Sequence, residues 1–128
     1  MSQENVEILK RAFDAINRGD TDGWAAPLHP DVHWQAGPGS EIRGRDKLVS
    51  HLLDILSTWD DYMETPEQFL DLGDDVVVLV RVEARLARTG TPFLERHGEV
   101  HTFRDGHIVK LVQYESYEAA LKAVSFER

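Results

Sequence analysis

The hydrophobic period of this chain changes once, near residue 60, and that change limits the possible fold more than any other feature. Before it, apolar residues recur at helical spacing. Val6, Leu9, Phe13 and Ile16 share one helical face, and so do Leu48, Leu52, Ile55 or Leu56, and Trp59. After it the period is two. Asp75 to Leu86 is rich in valine, Pro92 to Arg104 alternates, and Ile108 to Tyr114 alternates again. Asp105-Gly106 between the last two runs is a two-residue hairpin signal. Helices first and hairpin-linked strands after them predict an α+β fold, with helices packed on one face of a curved antiparallel sheet.

Finer punctuation fills in the order. Ser2 is placed to cap the first helix, and Gly19 to end it in a left-handed conformation. Asp20 or Thr21 caps a short second helix that ends near Leu28-His29-Pro30, with Pro27 shortening it. Asp31 to Gln35 reads as a strand, Gly37-Pro38-Gly39-Ser40 as a turn, and Gly44-Arg45-Asp46 as the start of a third helix. Segment 60–72 is expected to be a strand, and Glu115 to Val124 a closing helix.

With 128 residues there is room for one domain, residues 1–128. The absence of cysteine removes disulfides, thiolate metal sites and cysteine nucleophiles. A net charge of −9 argues against nucleic acid and anionic membranes as partners. The longest apolar run, Val76 to Val80, is too short to span a bilayer, and the polar Met-Ser-Gln-Glu-Asn start carries no secretory signal, so a cytoplasmic location is expected.

Two strand faces carry chemistry. Arg81 and Glu83 are two residues apart, on one face and about 6.6 Å from each other along the strand. In a cavity, burial would raise Glu83 and Arg81 would lower it, which suits a general acid or base. On a solvated face the same residues form a charge ladder with Arg85. His97, Glu99, His101 and Phe103 share the second face. Three polar groups facing an apolar cavity must pair with one another or with a ligand; the alternative is an outward polar strip. Four residues of strand span about 13 Å, so His97 and His101 cannot share one metal ion through a bond of about 2.1 Å each. His29 and His33 straddle Pro30 and are not on a helix either, so no metal site is expected. There is no phosphate loop and no Gly-x-Gly-x-x-Gly, so no nucleotide cofactor is expected.

Several stretches together resemble the nuclear transport factor 2-like superfamily, in its SnoaL-like branch. They are residues 12–20 (Ala-Phe-Asp-Ala-Ile-Asn-Arg-Gly-Asp), 28–34 (Leu-His-Pro-Asp-Val-His-Trp), Arg43-Gly44-Arg45-Asp46, the 102–109 hairpin and Tyr114-Glu115. The resemblance implies a cone-shaped α+β domain with an apolar pocket between sheet and helices, and usually a dimer. Ketosteroid isomerases of this superfamily have a tyrosine where this chain has Phe13 and a carboxylate base at Ala36, while their second acid matches Glu99. Limonene epoxide hydrolases have an arginine and an acid matching Arg81 and Glu83, and an aspartate where Gln113 stands. For polyketide cyclases of the SnoaL type, Glu83 and Glu99 are both candidates for the single acid.

The expectation is therefore a cofactor-independent acid–base enzyme of isomerase, cyclase or hydrolase type, acting on a small apolar organic molecule. Arg81, Glu83 and Glu99 are the candidate catalytic residues. Phe13, Trp34, Trp59, His97, His101, Phe103 and Gln113 are the candidate substrate-binding residues. The alternative is a non-catalytic binding or dimerising module of the same fold. A homodimer is expected through the outer sheet face, where Val76, Val78, Val80 and Val82 would otherwise form an exposed apolar row.

Overall fold

The chain lays three helices over the inner face of one six-stranded sheet. The computed structural model describes residues 2–127. In order the elements are α1 (Ser2–Asn17), α2 (Thr21–Ala25), β1 (Leu28–Ala36), β2 (Glu41–Arg43), α3 (Arg45–Thr58), β3 (Trp59–Asp71), β4 (Asp75–Leu86), β5 (Pro92–Arg104), β6 (His107–Tyr114) and α4 (Tyr117–Glu127). The strands form one curved, unclosed sheet in the order β2-β1-β6-β5-β4-β3. This is the α+β architecture read from the change of period. The Ser2 cap lies outside the described side chains.

Local chemistry explains the boundaries. Gly19 takes φ 79° just past α1, and the Asp20 carboxylate caps α2 by accepting from the Gly23 N–H at 2.9 Å. Asp105 and Gly106 have φ 52° and 78°, so a two-residue loop with both residues left-handed joins β5 to β6.

Four details differ from the sequence reading. The β1–β6 pair is parallel, whereas every other pair is antiparallel. Alternation reveals which face a residue takes but not the direction of its neighbour. The sequence reading assigns no element to residues 41–43, which form β2; three residues are too few to show a period, yet Ile42 is half-buried against the core. Trp59 leaves the α3 stripe, because the backbone turns extended there (φ −117°, ψ 136°) and Trp59 opens β3 opposite Leu86. The fourth concerns the valines of β4.

Val76, Val78, Val80 and Val82 face inward. They are at most 5% exposed and pack in the core with Val6, Leu9 and Phe13 of α1 and Leu48 of α3. β4 lies between β3 and β5, so its inner residues are the floor on which the helices rest. The apolar outer row that motivated a homodimer therefore does not exist. The other face is partly covered by α4, where Val77 and Val100 meet Ala120 and Val124. Gly98 permits that contact: a Cβ there would stand 2.7 Å from the Ser116 carbonyl oxygen and 2.8 Å from the Ala120 Cβ.

Candidate functional site

Inward-facing residues of the sheet and the undersides of α1, α2 and α3 enclose a cavity of about 290 Å³. Its apolar wall includes Phe13 of α1, Trp24 of α2, Trp34 of β1, Leu52 of α3, Trp59 of β3 and Phe93 of β5. Trp59 and Phe93 contact each other with centroids 5.0 Å apart, as do Trp34 and His51. The polar groups come mainly from two strands: Tyr62 and Glu64 of β3, and Glu95, His97, Glu99 and His101 of β5.

On β5, period two brings three residues together. The Glu99 carboxylate receives the His97 Nε2–H on Oε2 at 2.7 Å and the His101 Nε2–H on Oε1 at 2.8 Å. All three side chains are buried, with residue exposures of 4%, 7% and 4%. Burial favours a neutral Glu99, but the hydrogen bonds and charges of His101 and His97 prevail and hold its carboxyl at about 2. Because Glu99 stays ionised it can only accept, so each imidazole must present an N–H to it. For His97, burial opposes the cation, yet the Glu99 hydrogen bond and the charges of Glu99, Glu95 and Glu64 raise its pKa above the ordinary histidine value. Glu95 lies nearby, with Oε2 3.7 Å from His97 Nδ1.

On β3 the environment does the opposite to a second carboxyl. Tyr62 donates its O–H to Glu64 Oε2 at 2.5 Å. Burial and then the negative charge of Glu99 raise Glu64 to about 7, against the lowering effects of the Tyr62 hydrogen bond and of His97. Burial and the adjacent Glu64 also push the Tyr62 hydroxyl well above its usual range, so it remains a donor. The position of Glu64 is set by Asn17 at the end of α1. The Asn17 side chain donates to the Glu64 carbonyl at 2.8 Å and accepts from the Glu64 N–H at 2.8 Å, satisfying the free edge of β3.

The cavity thus collects some of the sequence candidates and rejects others. Phe13, Trp34, Trp59, His97, Glu99, His101 and Gln113 all line it. Gln113 lies directly across from Glu99 on β6, and among the described residues its carboxamide has no hydrogen-bond partner. Phe103 belongs to the packed core rather than to the cavity lining; the ladder is irregular between Thr102 and Phe103. Arg81 and Glu83 must be corrected. The inner residues of β4 here are Val82 and Ala84, so Arg81 and Glu83 project from the outer face. There Arg81 pairs with Glu83 at 2.9 Å and Glu67 at 3.4 Å, and the Glu83 side chain is 50% exposed.

Sequence reasoning missed Tyr62 and Glu64. Segment 60–72 was read as a strand without a register, and the ladder slips between Asp60 and Met63 and again between Pro66 and Gln68. A bulged strand has no fixed alternation to read. Among the described residues, no three His, Asp or Glu side chains are grouped to hold a metal ion. No described helix is long and apolar enough to cross a membrane.

A small α+β cone whose helices roof a cavity, with its ionisable groups on the sheet floor, defines a class of pocket proteins. The chain belongs to the SnoaL-like family, whose domain model matches residues 9–111. Similar solved structures include an NTF2-like protein of unknown function from Burkholderia pseudomallei, 20% identical over 93% of this chain and 95% of that one, with a TM-score of 0.80. A candidate SnoaL-like polyketide cyclase from Jannaschia is 19% identical over 97% and 93% of the two chains, with a TM-score of 0.81. AclR from Streptomyces galilaeus, a candidate hydroxylase, is 18% identical over 98% of each chain, with a TM-score of 0.80. At these identities the likeness is one of fold. No curated protein sequence matches the chain.

Proposed function

We propose that the protein is an acid–base enzyme acting on a small, largely apolar organic molecule in this cavity, with the transferred proton carried by Glu64. The observation that carries this reading is the divergence of two carboxyl groups in one cavity. Glu99 is held at about 2 by two histidines, while Glu64 rises to about 7 beside a phenol. Environments that push two titratable groups apart separate the group that exchanges protons from the one that remains a fixed charge. A group near 7 both accepts and returns a proton at neutral pH.

In this scheme ionised Glu64 removes a proton from an acidic C–H or O–H of the substrate. Tyr62 fixes the orientation of its Oε2. Gln113, with an uncommitted carboxamide N–H, donates to the substrate oxygen on which negative charge develops. Glu99 keeps His97 and His101 in place, and the positive side of the His97–Glu99 pair adds to the field at that end. Base, donor and fixed charges all come from side chains, so the reaction as written needs no cofactor. The proton-transfer role that the sequence left open between Glu83 and Glu99 passes in this scheme to Glu64.

The test is turnover of a panel of β-keto compounds and epoxides, with deuterium uptake from solvent read by mass spectrometry. The expected kcat/KM rises with pH to a plateau with a midpoint near 7, as Glu64 loses its proton. Glu64→Gln should lower kcat by about 10²–10⁴-fold without loss of folding. If compounds bind yet none exchanges or turns over, and Glu64→Gln leaves binding unchanged, the protein is a binding module instead.

A further inference from the structure

The charge balance of the cavity wall is one-sided. Its titratable lining groups are His51 of α3, Tyr62 and Glu64 of β3, and Glu95, His97, Glu99 and His101 of β5. The lining residues of α1, α2, β1, β4 and β6 contribute none, and no lysine or arginine is among them. Within this set Glu99 is answered by two imidazoles at 2.7 and 2.8 Å. Among the described residues the Glu64 carboxyl receives a hydrogen bond only from the neutral phenol of Tyr62, and the charge of His97 acts on it without direct contact. A half-buried carboxylate with no cation in direct contact is costly, and burial together with the Glu99 charge outweighs the relief that His97 gives. A cation in the cavity would remove that cost.

The apolar wall suits the same occupant. Phe13, Trp24, Trp34, Trp59, Tyr62 and Phe93 all line the cavity. An aromatic face attracts a cation through the ring quadrupole, and the effect grows as water is excluded. With a volume near 290 Å³ the cavity stands at the small end of ligand sites, which span roughly 300–1,000 Å³. The geometry points to a substrate that carries a positively charged nitrogen, a protonated or quaternary amine on a compact apolar body, held between the Glu64 carboxylate and the aromatic walls. This deepens the acid–base reading and rests on the cavity being the substrate site. Anions are correspondingly disfavoured: Glu64 and Glu95 share the single imidazole of His97, which also serves Glu99, and no guanidinium or ammonium lines the cavity to receive a carboxylate or phosphate.

The probe pair is benzyltrimethylammonium and neopentylbenzene, which have the same shape and differ by one positive charge. The three tryptophans of the chain, Trp24, Trp34 and Trp59, all line the cavity, so intrinsic fluorescence reads occupancy directly. At pH 8 the cation should bind at least tenfold more tightly than its neutral isostere. The quaternary nitrogen does not titrate, so its affinity should rise with pH through about 7 as Glu64 ionises, and the affinity of the isostere should not. In Glu64→Gln the ratio should fall below threefold, with circular dichroism confirming the fold. Should that variant fail to fold, the wild-type pH profile decides alone.

A wild-type ratio below tenfold overturns the proposal. If the isostere still binds in that case, the acid–base reading stands with a neutral substrate. If neither probe binds folded protein, the cavity is not a small-molecule site and both readings fall. A high ratio that persists in Glu64→Gln, or that ignores pH, overturns the assignment of the cation to Glu64.

Discussion

Asn17 shows how one residue carries a site it does not touch chemically. Its carboxamide closes a two-bond ring with the Glu64 backbone, tying the end of α1 to the free edge of β3. Asn17→Ala should leave the N–H and C=O of Glu64 without partners and cost about 1–3 kcal/mol in urea denaturation. Because the same bonds aim the Glu64 side chain, the variant should also lower kcat, whereas Asn17→Asp should retain one of the two bonds and part of the stability. A loss below about 0.5 kcal/mol would show that water replaces the clamp. On the same scale, the inner and outer faces of the sheet assign opposite roles to similar acids on the neighbouring strands β5 and β4. Glu99 is 7% exposed and fixed by two histidines, while the Glu83 side chain is 50% exposed and belongs to a surface ladder.

At the scale of elements, that ladder makes a direct prediction. Arg81, Glu83, Glu67 and Arg96 pair across β3, β4 and β5 on the outer face. Arg81→Ala should therefore cost about 0–1 kcal/mol, with a similarly small coupling to Glu83→Ala in a double-mutant cycle. A coupling of several kcal/mol would mean that the pair is buried. The docking of α4 is stricter. At Gly98 a Cβ would stand 2.7 Å from one carbonyl oxygen and 2.9 Å from the Tyr117 Cα, both backbone atoms. Gly98→Val should displace α4 from β5 and destabilise the protein by about 1–3 kcal/mol, seen as a lower Tm. An unchanged Tm would mean that α4 moves aside without cost.

For the whole molecule, the two carboxyl groups give the pH dependence of stability. Glu64 holds its proton to about 7 when folded but only to its ordinary value of 4.5 when unfolded. Between those values the folded state binds the extra proton, so stability falls as pH rises from 4.5 to 7. His97 has a raised pKa, and its contribution is likewise lost as pH rises beyond the ordinary histidine value. Glu99 acts in the other direction: its contribution is present above 4.5 and lost as pH falls toward about 2. The result is greatest stability near the low end of the 4.5–7 window. Glu64→Gln should flatten the decline above it and stabilise the protein at pH 8 by on the order of 1–3 kcal/mol. Urea titrations at pH 5, 6, 7 and 8 compare the two proteins, and parallel curves would contradict the burial of Glu64.

The sequence by itself determined the fold class, because a hydrophobic period is a local property and each element writes its own. It also determined the His97–Glu99–His101 row, since alternation on a regular strand places residues two apart on one face whatever lies beyond it. It could not determine which face of β4 was the inner one. Val76, Val78, Val80 and Val82 alternate with Val77, Leu79, Arg81 and Glu83, and only the docking of α1 and α3 made the first set the floor. That choice removed Arg81 and Glu83 from the cavity and brought Val82 into it. Glu64 was beyond reach for a related reason. Its facing depends on the register slips in β3 and on an edge contact from Asn17, 47 residues away in the chain. Register across a bulge is set by what the strand packs against, and that information belongs to the tertiary structure alone.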